Sequence, residues 1–278
     1  MKPVKRSLIL SFPSFEKKEM KMGNFQYRGF DLSNRVAIIT GGGTGIGKAI
    51  ALGMAQAGAD LVLIGRRIKP LKEVAKEAQA MGRRALCHSA DIRKLSHVQS
   101  VVRETIREFG KIDILVNNAA VAIGQPLERV TEKVWDEIMD INLKGAFFCA
   151  QAVGRVMIKR KKGKIINILS NCSFVAEAGI GAYCASKGGL LMITRCLATE
   201  WGKYGINVNG IGPAFILTPM NEPLIKDKHF VEWSSNRIPF HRMGKPDELV
   251  GAAIYLASDA ASFVNGAVVM VDGGFTAC

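Results

Sequence analysis

Tyr183 and Lys187 are the residues whose types and spacing point most directly to chemistry. They stand at the two ends of the run YCASK, and residues four apart share one face of a helix. A free tyrosine has a pKa of about 10, and a neighbouring ammonium favours the phenolate and lowers that pKa. The pair could therefore exchange a proton with an alcohol or ketone oxygen. Ser170, at the end of a predicted strand, could donate a hydrogen bond to the same oxygen.

A glycine-rich run reads TGGGTGIG from Thr40 to Gly47 and directly follows the first predicted strand. Glycines at these positions allow a tight turn, a close approach of the backbone to a ligand, and close packing of the next helix. The N-terminus of that helix would face an anion. Because strand, turn and helix occur in this order, the run predicts a dinucleotide site.

The end of the second predicted strand bears on the choice of cofactor. It reads Ile64-Gly65-Arg66-Arg67, with no aspartate or glutamate at its tip. In dinucleotide-binding folds an acidic residue about 20 positions after the glycine run usually binds the adenosine ribose of NAD. A carboxylate would repel a 2′-phosphate, whereas Arg66 or Arg67 could bind one through a fork of donors. The sequence therefore predicts NADP(H) as the preferred cofactor, with NAD(H) as the alternative.

Short apolar runs alternate with longer amphipathic stretches from residue 35 onward. The apolar runs are predicted as strands over Arg35–Thr40, Leu61–Ile64, Arg84–Ser89, Ile112–Val116, Lys164–Leu169, Ile206–Ile211 and Ala267–Val271. The amphipathic stretches are predicted as helices over Gly47–Ala57, Lys69–Met81, Ser96–Phe109, Glu132–Lys159, Ala182–Tyr204 and Pro246–Ser258. This alternation predicts an α/β fold of Rossmann type, a doubly wound parallel sheet of about seven strands with helices on both faces.

No linker divides the chain, so residues 26–278 are expected to form a single dinucleotide-binding catalytic domain. The irregular stretch 214–242 is longer than most connections, and we expect it to close over a substrate. Residues 1–25 are expected to be disordered or a wrongly assigned extension. The second interpretation arises because the residues Lys-Lys-Glu at 17–19 can be encoded by purine-rich codons, which would resemble a bacterial ribosome-binding site just before Met20 and Met22. On that interpretation the natural chain begins at or near Met22.

Composition excludes several classes of protein. The 278 residues are 22% charged and 48% hydrophobic, as in globular domains, and no uncharged apolar stretch reaches the length of a transmembrane helix. The net charge of +14 has no accompanying nucleic-acid motif, so no nucleic-acid or membrane partner is predicted. The six cysteines form no CxxC pair, which predicts free thiols in a cytoplasmic protein. The four histidines lack the spacing of metal ligands, so no metal is expected.

Taken together, the motifs resemble those of the short-chain dehydrogenase/reductase family over about residues 30–278. They are TGGGTGIG, the run NNAA at 117–120, Ser170, YCASK and the ending VDGG at 271–274. The resemblance implies that Tyr183 is the general acid in reduction and the base in oxidation, and that Ser170 orients the carbonyl. It implies that Lys187 holds the nicotinamide ribose and lowers the tyrosine pKa, and that Asn142 holds a water of the proton relay.

The resemblance also implies a cofactor site that includes Lys187. Gly41, Ile46 and Gly47 would line the pyrophosphate pocket, Asp91 would lie at the adenine, Asn118 at the adenine-side ribose, and Pro213 and Thr218 at the nicotinamide. Thr44 is a further predicted cofactor-binding residue, and Arg66 and Arg67 would lie at the 2′-phosphate on the grounds of charge given above. Thr44 stands where NADP-using members often carry a basic residue, so the preference for NADP(H) rests on the two arginines. Ala120 and Ala214 replace usual glycines, and we expect only a modest backbone adjustment there.

The substrate stays open among several classes. Within the family the chain most resembles gluconate 5-dehydrogenases and 3-oxoacyl-[acyl-carrier-protein] reductases, which implies an oxidoreductase acting on CH–OH groups with a sugar acid as substrate. The alternatives are a 3-oxoacyl-thioester reductase of fatty-acid synthesis with an acyl carrier protein as partner, an enoyl-thioester reductase, a cyclic-ketone or steroid reductase, and a non-catalytic dinucleotide sensor. The family also implies a homotetramer in which the helices at about 132–160 and 182–204 pair between subunits.

Five further residues are candidates for the substrate pocket: Asn171, Cys172, Glu177, His229 and Trp233. Among them, Glu177 is expected to disfavour an anionic substrate such as gluconate, because like charges repel.

Overall fold

A single parallel sheet forms the centre of the molecule in a computed structural model that describes residues 29–277. Its strands within that range are β1 (Val36–Thr40), β2 (Asp60–Gly65), β3 (Ala85–Ser89), β4 (Ile114–Asn117), β5 (Gly163–Ile168), β6 (Ile206–Pro213) and β7 (Val268–Val271). Their order is β3-β2-β1-β4-β5-β6-β7, and every neighbouring pair is parallel. The predicted fold class is confirmed. The predictions for residues 1–25, including the start at Met22, lie outside the described residues.

The sheet has an apolar core on each face because successive side chains of a strand point to opposite sides. Ile39 and Leu63 pack into one core, and Ile38 and Val62 pack into the other. All four side chains are at most 1% exposed, and burying each one contributes about 1.5–3 kcal/mol relative to leaving it in water. Strands buried on both faces explain why the sequence shows continuous apolar runs rather than alternation.

Helices cover both faces of the sheet and connect its strands. They are α1 (Gly45–Gln56), α2 (Ile68–Ala80), α3 (Leu95–Phe109), α4 (Glu132–Met139), α5 (Ala146–Arg160), α6 (Gly181–Trp201), α7 (Glu222–Ile225), α8 (Lys228–Asn236) and α9 (Val250–Ala257). The predicted helices are found within a few residues of their expected ends. The stretch expected to be irregular contains α7 and α8, whose short length gave too little periodicity to predict them.

The long helix predicted over Glu132–Lys159 is interrupted. A π turn at Asp140–Gly145 separates α4 from α5. Within this turn the buried Asn142 side chain donates to the Val121 carbonyl oxygen at 2.8 Å and accepts from the Val121 amide at 2.8 Å. Such turns often mark functional positions. Here the turn ties the helix to the loop that follows β4.

A buried chain of polar side chains fixes β4, β5 and α6 relative to one another. Asn117 donates to the Asn167 side-chain oxygen at 2.9 Å, and Asn167 donates to the Thr194 hydroxyl at 2.8 Å. Buried polar groups are expensive unless they are hydrogen-bonded, so this chain favours one arrangement of the three elements. It lies below the ends of β4 and β5, where the candidate site begins.

Among residues 29–277 no helix is both long and apolar enough to cross a membrane. The same residues contain no cluster of three or more His, Cys, Asp or Glu side chains arranged for a metal ion.

Candidate active site

A cleft of about 890 Å³ opens along the carboxyl ends of the strands, where open α/β sheets bind their ligands. Most of the residues predicted for the site line it. They are Gly41, Thr44, Ile46, Arg66, Arg67, Asp91, Asn118, Ser170, Tyr183, Lys187, Pro213 and Thr218. Gly47 and Asn142 do not belong to the lining. The cleft therefore joins the predicted dinucleotide and catalytic residues in one space.

The glycine turn between β1 and α1 has a shape that side chains would prevent. Gly41 and Gly45 have φ values of +66° and +54°, which favour glycine. A Cβ atom on Gly47 would overlap the Gly41 carbonyl oxygen. Helix α1 begins at Gly45 with no acidic residue in its first turn, and Thr44 makes no side-chain cap, so the first amides are open to an anion. This cradle fits the pyrophosphate of a dinucleotide.

Thr40 and Asn118 hold this turn in place. The Thr40 hydroxyl accepts hydrogen bonds from the amides of Asn118 and Ala119 at 2.9 and 3.0 Å. The Asn118 side chain donates to the carbonyl oxygens of Thr40 and Gly41 at 2.9 and 3.2 Å. Asn118 therefore lies on the cleft wall, as the resemblance implies, but its amide is committed to shaping the turn.

The tip of β2 presents cationic side chains to the cleft. Arg66 and Arg67 are both exposed and both line it. Asp91, the acidic residue expected at the adenine, is paired with Arg93 through two hydrogen bonds of 3.0 Å and one of 2.6 Å. These bonds are the main reason that the pKa of Asp91 lies below its usual value. The Asp91 carboxylate is therefore compensated by Arg93 and does not stand as a lone anion near the two arginines.

Ser170, Tyr183 and Lys187 meet where β5 ends and α6 begins. Ser170 caps a short 3-10 turn at Asn171–Ser173, and its hydroxyl accepts from the Cys172 amide at 3.1 Å and donates to the Asn171 side chain at 2.9 Å. Lys187 is 3% exposed and donates to the Ile168 carbonyl oxygen at 2.7 Å. Its ammonium nitrogen lies 5.7 Å from the centre of the Tyr183 ring.

The protonation of this cluster differs from the expectation in one respect. Burial raises the pKa of Tyr183 above its usual value, and a hydrogen bond with Ser170 only partly opposes that effect. The predicted lowering of the Tyr183 pKa by Lys187 is not the net effect here, because burial is the largest influence on that pKa. Burial also lowers the pKa of Lys187 to about 8. Tyr183 therefore holds its proton at neutral pH.

Asn142 does not reach the cleft with its side chain. Besides its bonds to Val121, its amide donates to the Ser186 hydroxyl at 3.1 Å. Both amide hydrogens and one oxygen lone pair are thereby used. A relay water at this residue would have to contact its backbone within the π turn rather than its side chain.

The substrate end of the cleft is mainly apolar. Phe215, Phe230 and Trp233 form an aromatic cluster there, with ring centres 5.6 to 5.8 Å apart. Of the five candidate pocket residues, His229 is absent from the lining and the other four belong to it. The stretch 214–242 supplies much of this wall, as expected for a segment over the substrate.

Known proteins that are similar to this chain are dehydrogenases and reductases. The sequence model described as enoyl-(acyl carrier protein) reductase matches residues 41–276. The chain is 43% identical over 247 residues to a gluconate 5-dehydrogenase of Gluconobacter oxydans (strain 621H), covering 89% of this chain and 96% of that protein. It is also 43% identical over 249 residues to a 2-dehydro-3-deoxy-D-gluconate 5-dehydrogenase of Dickeya dadantii (strain 3937), covering 89% and 98%. This chain belongs to the short-chain dehydrogenase/reductase family.

A solved structure of the family has the same fold. The gluconate 5-dehydrogenase of Burkholderia cenocepacia J2315, in complex with NADP and tartrate, is 41% identical and superimposes with a TM-score of 0.87 over 90% of this chain and 98% of that one. The resemblance inferred from the motifs is confirmed. The chain is an oxidoreductase of the short-chain dehydrogenase/reductase family.

Three residues that shape the site were not given a role from the sequence alone. Thr40 was included in the glycine run but given no role, although its hydroxyl holds the two amides after β4. Arg93 was not considered, although its position two residues after Asp91 could have suggested the ion pair. Arg237 was also missed, and its partner Glu177 lies 60 residues away.

Proposed function

We propose that this enzyme interconverts a secondary alcohol and a ketone of a sugar acid by hydride transfer with NADP(H). The observation that carries the proposal is the meeting of Ser170, Tyr183 and Lys187 in the cleft that also contains the glycine turn. The similarity to gluconate and deoxygluconate 5-dehydrogenases supports a sugar acid as the substrate.

The residues of the chain have separate tasks in this reaction. The Ser170 hydroxyl exchanges its hydrogen bond to the Asn171 side chain for one to the substrate carbonyl oxygen as negative charge develops there. The Tyr183 phenol gives its proton to the same oxygen in reduction, and the phenolate takes it back in oxidation. Lys187 holds the nicotinamide ribose and supplies a positive charge beside Tyr183. The bound dinucleotide supplies or accepts the hydride. Asn142 holds a relay water through its backbone.

The dinucleotide is held along the rest of the cleft. Gly41, Thr44, Ile46 and Gly47 form the pyrophosphate cradle, Asp91 and Asn118 border the adenosine, and Pro213 and Thr218 border the nicotinamide. Arg66 and Arg67 favour NADP(H), because each presents a fork of donors to a 2′-phosphate and no unpaired acid competes. The NADP-bound relative from Burkholderia supports this preference.

The Glu177 carboxylate does not exclude an acidic substrate. The sequence alone suggested repulsion of gluconate, but Arg237 donates to both carboxylate oxygens at 2.7 Å and balances the charge. A sugar acid therefore meets a compensated ion pair rather than a lone anion at this end of the cleft.

The test is a comparison of NADPH and NADH oxidation with 5-keto-gluconate and with acetoacetyl-CoA as oxidised substrates. We expect the highest kcat/KM with NADPH and 5-keto-gluconate, and no turnover above background in Tyr183→Phe. Faster turnover of the thioester would overturn the sugar-acid assignment, and faster turnover with NADH would overturn the cofactor preference.

A thioester reductase is the second candidate function, because the matching family model carries that description. Retention of Ser170, Tyr183 and Lys187 favours carbonyl reduction over reduction of a carbon–carbon double bond. Reduction of crotonyl-CoA, an enoyl thioester without a ketone, would favour the enoyl alternative.

The enzyme is further proposed to be a cytoplasmic homotetramer that binds neither nucleic acid nor a membrane. The free thiols among the described residues, Cys87, Cys149, Cys172, Cys184 and Cys196, suit a reducing compartment. Exposed apolar side chains on α4 and α6, namely Trp135 and Met192, suit burial between subunits.

A further inference from the structure

Glu177 is an acidic side chain at the substrate end of the cleft. It lines the cleft together with Ser170 and Tyr183, and its side chain is only 9% exposed. The carboxylate of Glu177 and the reacting residues therefore belong to the wall of the same cleft.

Arg237 fixes this carboxylate from behind. Its Nη1 atom donates to both Glu177 oxygens at 2.7 Å, and Arg237 itself is not among the cleft-lining residues. The guanidinium lies over the rings of Trp233 and Phe275, at 4.9 and 5.1 Å from their centres. A planar cation held on two aromatic faces has little freedom, so it positions the acid.

The bound carboxylate retains hydrogen-bonding capacity on its cleft side. An ionised carboxylate can accept about four hydrogen bonds, and Arg237 supplies two. The surrounding wall is largely apolar, from Ala214, Phe215, Met220, Leu224, Phe230 and Trp233. In such a pocket a few polar groups set the orientation of the ligand. A hydroxyl donor is the neutral group that suits an acceptor of this kind.

We propose that Glu177 accepts a hydrogen bond from a substrate hydroxyl other than the reacting one, and that Arg237 is its positioning residue. The pair selects ketones that carry several hydroxyl groups over their deoxy counterparts. The inference rests on the proposed function for the alcohol–ketone chemistry and adds the residue that recognises the substrate class.

The test uses two matched pairs of ketones in NADPH-dependent reduction. In the acidic pair, 5-keto-gluconate is compared with 5-oxohexanoate, which has the same carbon chain, ketone and carboxylate but no hydroxyl. In the neutral pair, erythrulose is compared with butan-2-one. The readout is the ratio of kcat/KM between the hydroxylated and the deoxy member. We expect the wild type to favour the hydroxylated member of each pair.

Glu177→Gln should lower that ratio by about tenfold to a hundredfold, the range for a hydrogen bond to a charged group. Arg237→Gln should lower it in the same direction, and Arg237→Lys should restore part of it. Glu222→Gln is the matched control, because Glu222 pairs with Lys226 on α7 and does not line the cleft. The control should leave the ratio unchanged.

The outcomes distinguish the role of Glu177 from the proposed function. Equal losses for both members of each pair in Glu177→Gln would overturn the inference, since an ion pair that only anchors α8 would act on every substrate alike. A Glu177-dependent preference for erythrulose without reduction of 5-keto-gluconate would overturn the sugar-acid assignment and support the role of Glu177. Failure of the wild type to reduce either hydroxylated ketone would overturn both.

Discussion

At the scale of single residues, the chemistry depends on which groups hold protons at neutral pH. Burial raises the pKa of Tyr183, so the phenol keeps its proton, and it lowers the pKa of Lys187 to about 8, so the ammonium persists below that value. Both groups are thus in the forms that ketone reduction needs at and below neutral pH. Spacing in the sequence placed these two residues on one helix face, but it could not give the net direction of the tyrosine pKa, which burial decides.

The pH dependence of the two directions follows from these protonation states. With saturating NADPH, kcat for ketone reduction should be flat at neutral pH and fall as the pH rises through about 8, where Lys187 loses its charge. Alcohol oxidation should rise with pH, because it needs the Tyr183 phenolate. If Lys187→Arg retains ketone reduction, its profile of kcat against pH should show no inflection near pH 8. Reduction that accelerates above pH 8 would contradict this assignment.

The proposed preference for NADP(H) also rests on single side chains. Arg66→Ala should lower kcat/KM for NADPH by about tenfold to a hundredfold, because hydrogen bonds to a charged phosphate are lost, and it should leave kcat/KM for NADH nearly unchanged. Steady-state kinetics with both cofactors measures the ratio. Arg107→Ala is a matched control, since that arginine is 72% exposed and paired with Glu108 on α3. Equal losses with both cofactors would argue against a 2′-phosphate contact.

At the scale of elements, the turn between β1 and α1 shapes the dinucleotide site. Its amides face the cleft because the glycines allow a backbone path that side chains would block, and because Thr40 and Asn118 tie it to the loop after β4. The position of each element was largely predictable, because buried strands and amphipathic helices have distinct apolar patterns. The interruption between α4 and α5 was not, because the apolar pattern continues across it and the Asn142–Val121 hydrogen bonds within it join residues 21 positions apart.

The glycine turn can be tested by adding one methyl group at Gly47. Gly47→Ala should weaken NADPH binding by at least about tenfold, because the new Cβ would overlap the Gly41 carbonyl oxygen and displace the cradle. Isothermal titration calorimetry measures the Kd. Gly251→Ala on α9 is the matched control, because nothing lies within 4 Å of its added Cβ, and it should bind NADPH as the wild type does. Unchanged binding in Gly47→Ala would exclude the turn as the pyrophosphate site.

At the scale of the whole molecule, the sheet is complete within one chain but the surface is not uniformly polar. Met192 is 54% exposed on α6 and Trp135 is 41% exposed on α4, the helices that resemblance to the family places between subunits. The sequence alone identified the helices and not these exposed positions, because an apolar residue in a periodic helix is normally assigned to the core. The ion pair of Glu177 and Arg237 was equally hidden, since its partners are 60 residues apart.

The assembly can be tested through one of these side chains. Met192→Glu should shift the sedimentation coefficient from that of a tetramer to that of smaller species, because charge would be buried at the interface. Met81→Glu, a matched change at an exposed position after α2, should leave the assembly intact. A monomeric wild type, or a tetramer unaffected by Met192→Glu, would contradict the proposed interface.

The central claim is that hydride reaches the ketone carbon while Tyr183 supplies the proton. The most direct measurement incubates the enzyme with 5-keto-gluconate and NADPH deuterated at the transferable position, and analyses the product by mass spectrometry. The expected product is gluconate with one deuterium at C5, formed at least about a hundredfold more slowly by Tyr183→Phe and at the normal rate by the control Tyr204→Phe. Product without deuterium at C5, or an unimpaired Tyr183→Phe enzyme, would contradict it.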